Sequence, residues 1–324
     1  MNLAKAELNR LMSRRFVKLL VVVLFAVFGL TVAVVMIDSS RPSDQAWAEA
    51  RQMAAEARAD RTREHERCLT SKDPGAPQDL YDQYYGADCT AYDPADVKDE
   101  QYLSGVFVFS DEITGLAYML AAYLAFFGFL IAASFIGAEL SSGGLINLLL
   151  WRPQRGTVYG TKLGVLLGGL AVFNLGFTVL YVGVFWVLAA TTGWTGNLGG
   201  DFWPDLIGLS LRGFVLALVT AACAYAIATI GRHTAAALGV LIGYVIAWEL
   251  GARLVFYMIN LEPSDPLFLS TYVAAWVNGG YRYWGNYDGS ALVIDAGTGA
   301  AVLLGLAALL VGGGYLSFHR RDLT

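Results

Sequence analysis

Charge is scarce in this sequence. Asp, Glu, Lys and Arg together make up 15% of its 324 residues, against 56% hydrophobic ones. A soluble domain of that length needs more polar surface to cover itself, so a wholly soluble fold is excluded. A basic excess is missing too: the formal net charge is −5, which argues against a nucleic-acid-binding protein. Histidine and cysteine number three each, and His65, His233 and His319 are scattered along the chain. No HExxH pair occurs, and no Ser/His, Asp/Asp or metal-ligating set converges, so an intramembrane enzyme finds no support. The triplet Glu64-His65-Glu66 looks metal-like, but side chains one apart on a helix diverge, and it reads as a solvated face.

What the sequence has instead is long apolar runs. Residues 16–37, 113–136, 163–190, 205–230, 235–258 and 296–318 each come near the roughly 20 residues that a helix needs to cross the hydrocarbon core. The expected fold is an all-α integral membrane protein with about six transmembrane helices. Lys5, Arg10, Arg14, Arg15 and Lys18 precede or enter the first run, which is too long for a signal-peptide core and has no small-residue cleavage pattern at Val34-Val35-Met36-Ile37. It reads as a retained anchor. Leu3, Ala6, Leu8 and Leu11 alternate with basic residues before it, a pattern suited to the inner membrane surface.

Residues 38–110 form a polar, acidic insertion in which 45–69 is rich in Ala, Glu and Arg and is expected to be helical. Basic residues before the first run and acidic ones after it place the N-terminus in the cytoplasm and the insertion outside. Continued alternation puts 137–162 inside, 259–295 outside with Trp276, Tyr281, Tyr283, Trp284 and Tyr287, and the basic end His319-Arg320-Arg321 inside. The aromatic segment reads as an outer re-entrant hairpin or interface helix. The segments are thus 1–37, 38–110, 111–258, 259–295 and 296–324.

Cys68 and Cys89 both fall in the outer insertion, where a pair can oxidise and restrain a loop without a core; two free thiols is the alternative. Arg212, Glu249 and Arg253 fall inside runs four and five, where ionised groups are costly. Glu249 and Arg253 are four apart and can pair, with Arg212 at similar depth on the neighbouring helix. The cluster either lines a polar or anionic substrate path or is an internal ion pair that fixes packing. Gly160, Gly164 and Gly168 have the spacing that permits close helix approach, within one bundle or between two. The stretch from Gly156 to Lys162 echoes a phosphate loop but is one residue short, has Leu163 after its Lys and follows no strand, so ATP binding of the Walker type is not expected.

Between runs two and three lies Gly137-Ala138-Glu139-Leu140-Ser141-Ser142-Gly143-Gly144, followed by Leu148-Leu149-Leu150-Trp151-Arg152-Pro153-Gln154-Arg155 and Lys162. An acid, a Ser-Gly break, an apolar turn and an Arg-Pro-x-Arg end suggest two short helices meeting as an elbow. This segment resembles the inner loop of ABC-2 type transporter permeases through Gly137, Glu139, Gly143, Leu148, Leu150, Pro153, Arg155 and Lys162, with Trp151 as a departure from the family pattern. The closing Arg320-Arg321-Asp322-Leu323 and the basic amphipathic start resemble the family as well. The resemblance covers the membrane body and not the insertion. It implies the permease subunit of a bacterial exporter in the plasma membrane, in which the elbow docks onto separate ATP-binding subunits and a second permease chain completes the assembly. This chain itself would bind no cofactor, ATP and Mg belonging to the partner, and would move a drug, antibiotic or lipid outward. A membrane receptor or assembly factor with a partner-binding insertion is the rival.

Overall fold

The computed structural model describes residues 3–70, 89, 92–144, 154–261, 264–284 and 291–320. Helix α1 (Leu3–Ser13) leads into α2 (Arg15–Asp38) and, past a short break, α3 (Asp44–Thr70). Next come α4 (Phe109–Ser141), α5 (Arg155–Thr192), α6 (Phe202–Gly231) and α7 (Thr234–Met258). The short α8 (Leu269–Asn278), an antiparallel ribbon of β1 (Gly280–Trp284) and β2 (Ala291–Asp295), and α9 (Ala296–Arg320) complete the described chain. Helices α2, α4, α5, α6, α7 and α9 are long and apolar enough to cross a membrane. They coincide with the six apolar runs, so the helical multi-pass fold follows from sequence as expected. The ribbon and α8 show that the aromatic segment holds a helix and a hairpin together.

The centre of the bundle is the pair α4 and α6. Small residues let the two backbones meet: a Cβ added to Gly213 would lie 2.7 Å from Ala121 Cβ, and one added to Gly128 would lie 3.4 Å from the Ala217 carbonyl oxygen. Ala132, Ala221, Ala224 and Ala228 are fully buried in this core. Helices α2, α5, α7 and α9 surround it and leave most of their apolar surface uncovered, as expected where lipid is the solvent. The stripe Gly160, Gly164 and Gly168 meets nothing within 4 Å of a Cβ at any of the three among the described residues, so it packs against none of them.

At one end of the bundle the insertion is sewn to the spans. Ser39 Oγ donates to the Thr192 carbonyl and accepts from the Phe107 amide, at 3.2 and 3.0 Å. Ala50, Leu103, Val106 and Val108 form a small separate core with Trp47 and Tyr102, and Arg58 pairs with Asp99 at 2.6 Å. Cys68 and Cys89 form a disulfide, the outcome favoured by their shared segment. At the other end, α1 lies against α5, where a Cβ at Gly169 would sit 3.3 Å from Leu11.

Helix α7 is irregular. Residues Val245–Ala252 are wound as a π-helix, whose i→i+5 bonding brings side chains five apart onto one side. Tyr244 and Glu249 are such a pair, with the phenol donating to Glu249 Oε1 at 2.8 Å.

Candidate functional site

Five charged side chains converge where α1, the start of α2, the end of α4 and the start of α5 meet. Lys162 Nζ donates to Glu7 Oε2 and to Glu139 Oε2, both at 2.6 Å. Arg14 donates to Glu139 Oε1 at 2.5 Å and to the Ser134 carbonyl at 2.9 Å. Arg10 pairs with Glu7 at 3.3 Å from the half-exposed side of α1. The side chains of Lys162 and Glu7 are each only 1% exposed, and those of Glu139 and Arg14 12% and 19%. The Phe135 ring lies near both cations, 5.1 Å from the Arg14 guanidinium and 5.2 Å from Lys162 Nζ, which adds a cation–π attraction to each.

The local sequence explains how these groups meet. Glu7 shares the buried face of α1 with Leu11, one turn on. Arg14 occupies the break between α1 and α2 in extended geometry, so its side chain can turn toward α4. Helix α5 has 38 residues, about 57 Å at 1.5 Å per residue, far more than a hydrocarbon core of about 30 Å. Its first turns, with Lys162, therefore reach toward the interface, where charge is tolerated. The four more buried members, two carboxylates and two cations, balance in charge, and the fifth, Arg10, is half exposed to solvent. Removing one member of such a buried set typically costs about 3–5 kcal/mol, because a charge is left stranded.

The elbow residues divide by role. Gly137 is a contact glycine: a Cβ there would lie 2.5 Å from the Thr234 amide nitrogen, so α4 meets the start of α7 backbone to backbone. Gly143 has φ +70° and follows the end of α4, a left-handed position that favours glycine. Arg155 opens α5 and donates to the His319 carbonyl near the end of α9 at 3.3 Å. Leu148, Leu150 and Pro153 lie outside the described residues. Glu139 and Lys162 are turned inward, where they join the ion cluster. The Gly156–Lys162 stretch is helical, and its lysine is taken up by Glu7 and Glu139, a geometry unlike that of a phosphate loop.

The three intramembrane charges do not form one cluster. Glu249 accepts from the Ser270 amide at 3.0 Å and its hydroxyl at 2.8 Å, and Tyr244 Oη accepts from the Leu269 amide at 3.1 Å. Together they cap the N-terminus of α8, where negative charge suits the helix dipole. Arg253 completes this contact, 3.6 Å from Glu249, 3.1 Å from Ser270 Oγ and 4.4 Å over the Phe268 ring. Arg212 sits at the other end of α8: Gly279, its C-terminal left-handed glycine at φ +85°, lies so close that a Cβ would be 2.5 Å from Arg212 Nη1. The Trp276 indole donates to the Arg212 carbonyl at 2.8 Å. Helix α8 is thus capped by an acid at its start and packed against Arg212 at its end.

Glu7 carried no signal of its own in the sequence beyond being an acid on the apolar side of a basic amphipathic stretch. Arg14 read only as topology charge. Outside the spans, the Thr298 hydroxyl and the Thr298 and Gly297 amides hold the Asp295 carboxyl below the usual aspartate range, and burial beside Asp265 raises the Tyr281 phenol.

A search of curated proteins finds no match to the sequence. One family model does match, described as ABC-2 family transporter protein, and it spans residues 1–323. That range takes in α1, the ion cluster, all six apolar helices and also the insertion, which the sequence resemblance had left out. A match over nearly the whole chain, on a bundle of six apolar helices, makes this chain a member of the ABC-2 transporter family, whose members are membrane permeases.

Proposed function

We propose that this chain is the permease subunit of an exporter in which separate ATP-binding subunits dock at the α1 end of the bundle. The observation that carries this reading is the buried ion cluster. It joins α1, α2, α4 and α5 on both sides of the 137–162 elbow, so a push delivered there moves four elements as one block rather than bending one loop. Glu139 and Lys162 then transmit force, while the exposed residues near Gly143 meet the partner. Arg155, through the His319 carbonyl, extends the block to α9. The basic residues Lys5, Arg15, Lys18 and Arg232 cluster toward this end and support a cytoplasmic placement. The insertion and α8 then lie outside, in the plasma membrane of a bacterium, consistent with a disulfide in the insertion. The cargo in this reading is a hydrophobic or amphipathic molecule moved outward, and a second permease chain, the same or related, completes the conduit.

The test is co-purification of the full chain from its native membrane with an ATP-hydrolysing subunit, followed by ATPase assay in lipid. Glu139→Gln is expected to leave the chain inserted and the ATPase present but to uncouple hydrolysis from substrate. Isolation with no ATPase partner under mild conditions would contradict the proposal and favour a receptor or assembly role for the insertion.

A further inference from the structure

Between α4, α6 and the end of α8, at the opposite end from the ion cluster, lies an open polar cleft of about 340 Å³. Thr114 and Tyr118 of α4, Asp205, Leu209 and Arg212 of α6, and Asn278 are among the residues that line it. Arg212 spends one donor on its own helix, Nε to the Gly208 carbonyl at 3.1 Å. It has no acidic partner among the described residues, and its Nη1 and Nη2 donate to no protein acceptor there. A half-buried guanidinium at the wall of a cleft, with Nη1 against Gly279 and its Nη donors spent on no protein acceptor among the described residues, is suited to binding an oxyanion.

Asp205 gives the site a second pole. It lies seven residues before Arg212, almost the same face of the helix, about 10 Å along the axis. The bond to Gly208 draws the guanidinium back by about one turn, roughly 5 Å, which leaves the two charges separated by a gap instead of paired. The pair is absent from the ion pairs within 4.0 Å. A cation and an anion spaced along one wall of a cleft match a zwitterion whose phosphate meets Arg212 and whose ammonium meets Asp205. Beyond Arg212 on α6 the polar lining gives way to apolar residues, Val215, Leu216 and Val219, beside Trp276 and Leu304. Polar cleft and apolar surface follow one another along one helix, as headgroup and chain do in a lipid.

The geometry points to a binding site for a zwitterionic phospholipid of the phosphatidylethanolamine class, with its headgroup in this cleft and one acyl chain along α6. The assignment concerns binding alone and is independent of the exporter reading: the same contacts hold a cargo lipid or a resident one.

Native mass spectrometry of the full chain in detergent tests this, with added dioleoyl-phosphatidylethanolamine, dioleoyl-phosphatidylglycerol and dioleoylglycerol as probes. The wild type is expected to retain phosphatidylethanolamine most strongly and dioleoylglycerol least. Arg212→Gln is expected to lower retention of both phospholipids at least tenfold. Asp205→Asn, at an exposed carboxylate that no packing depends on, is expected to erase the preference for phosphatidylethanolamine over phosphatidylglycerol while both remain bound. Millimolar inorganic phosphate should displace neither. Equal retention of all three probes, or a preference unchanged in Asp205→Asn, overturns the proposal, and so does full displacement by phosphate, which would mark a simple anion site. Should Arg212→Gln fail to fold, Asp205→Asn together with the exposed Asn278→Ala decides the matter by the same retention ratios.

Discussion

Lys162 touches two carboxylates that come from positions 7 and 139, and its side chain is 1% exposed. Lys162→Met is therefore expected to destabilise the chain by about 3–5 kcal/mol, since Glu7 is left buried without its main partner. Thermal unfolding in detergent reads this as a clear drop in midpoint. Adding Glu7→Gln to Lys162→Met should return much of the loss, because an uncharged buried set avoids the stranded carboxylate. Independent, additive losses would show that the pair is not coupled. Gly137→Ala should also destabilise, with its Cβ forced onto the Thr234 backbone, while Gly164→Ala, which meets nothing within 4 Å, should be close to neutral. The resemblance to the ABC-2 inner loop singled out Glu139, Lys162 and Gly137, and all three make close contacts in the fold. Their partners were not legible, because Glu7 and Arg14 are 155 and 125 residues away from Lys162 and Glu139, and charge pairing at such separation leaves no periodic trace.

At the level of elements, apolar length made the six spans legible and polarity made the insertion so, whereas lateral order did not show. Hydropathy reports depth, which is why Arg212 and Glu249 read as one cluster; only packing reveals that α8 separates them. The π-helical turn in α7 was equally invisible, since Val245–Ala252 has an ordinary apolar composition. Glu249→Gln is expected to weaken the cap on α8 and to raise hydrogen exchange across Leu269–Asn278 without changing that of α4 and α6; unchanged exchange would remove Glu249 from that role. The Cys68–Cys89 bridge closes a 21-residue separation, and cross-links of that size are worth about 3 kcal/mol to the segment they close. Cys68→Ser should remove a non-reducing gel shift and sensitise the insertion to protease while leaving the spans intact. Asp295 immediately precedes α9 and caps its first turn, and its carboxyl is held below the usual aspartate range by Thr298 first. A depressed acid adds stability that is present above the unfolded aspartate pKa and is lost as pH falls through the folded one. The start of α9 should therefore fray in strong acid, with Asp295→Asn abolishing that pH dependence in hydrogen exchange.

At the level of the whole molecule, the bundle has one end built for charge and one built for contact with a soluble insertion. The core pair α4 and α6 links them: α4 carries Glu139 in its last turn, and α6 carries Arg212 in its first half. Movement of the ion-bound block would reach the cleft beside α8 through that pair, without a change in any loop. The measurement that bears most directly on this account is cross-linking mass spectrometry on native membranes containing the full chain. The prediction is a set of cross-links between an ATP-hydrolysing subunit and residues 137–162 or α1, all at one end of the bundle and lost from the membrane fraction when that subunit is stripped. Cross-links to such a subunit through α3 or α8 instead, or none to any ATPase, would contradict it.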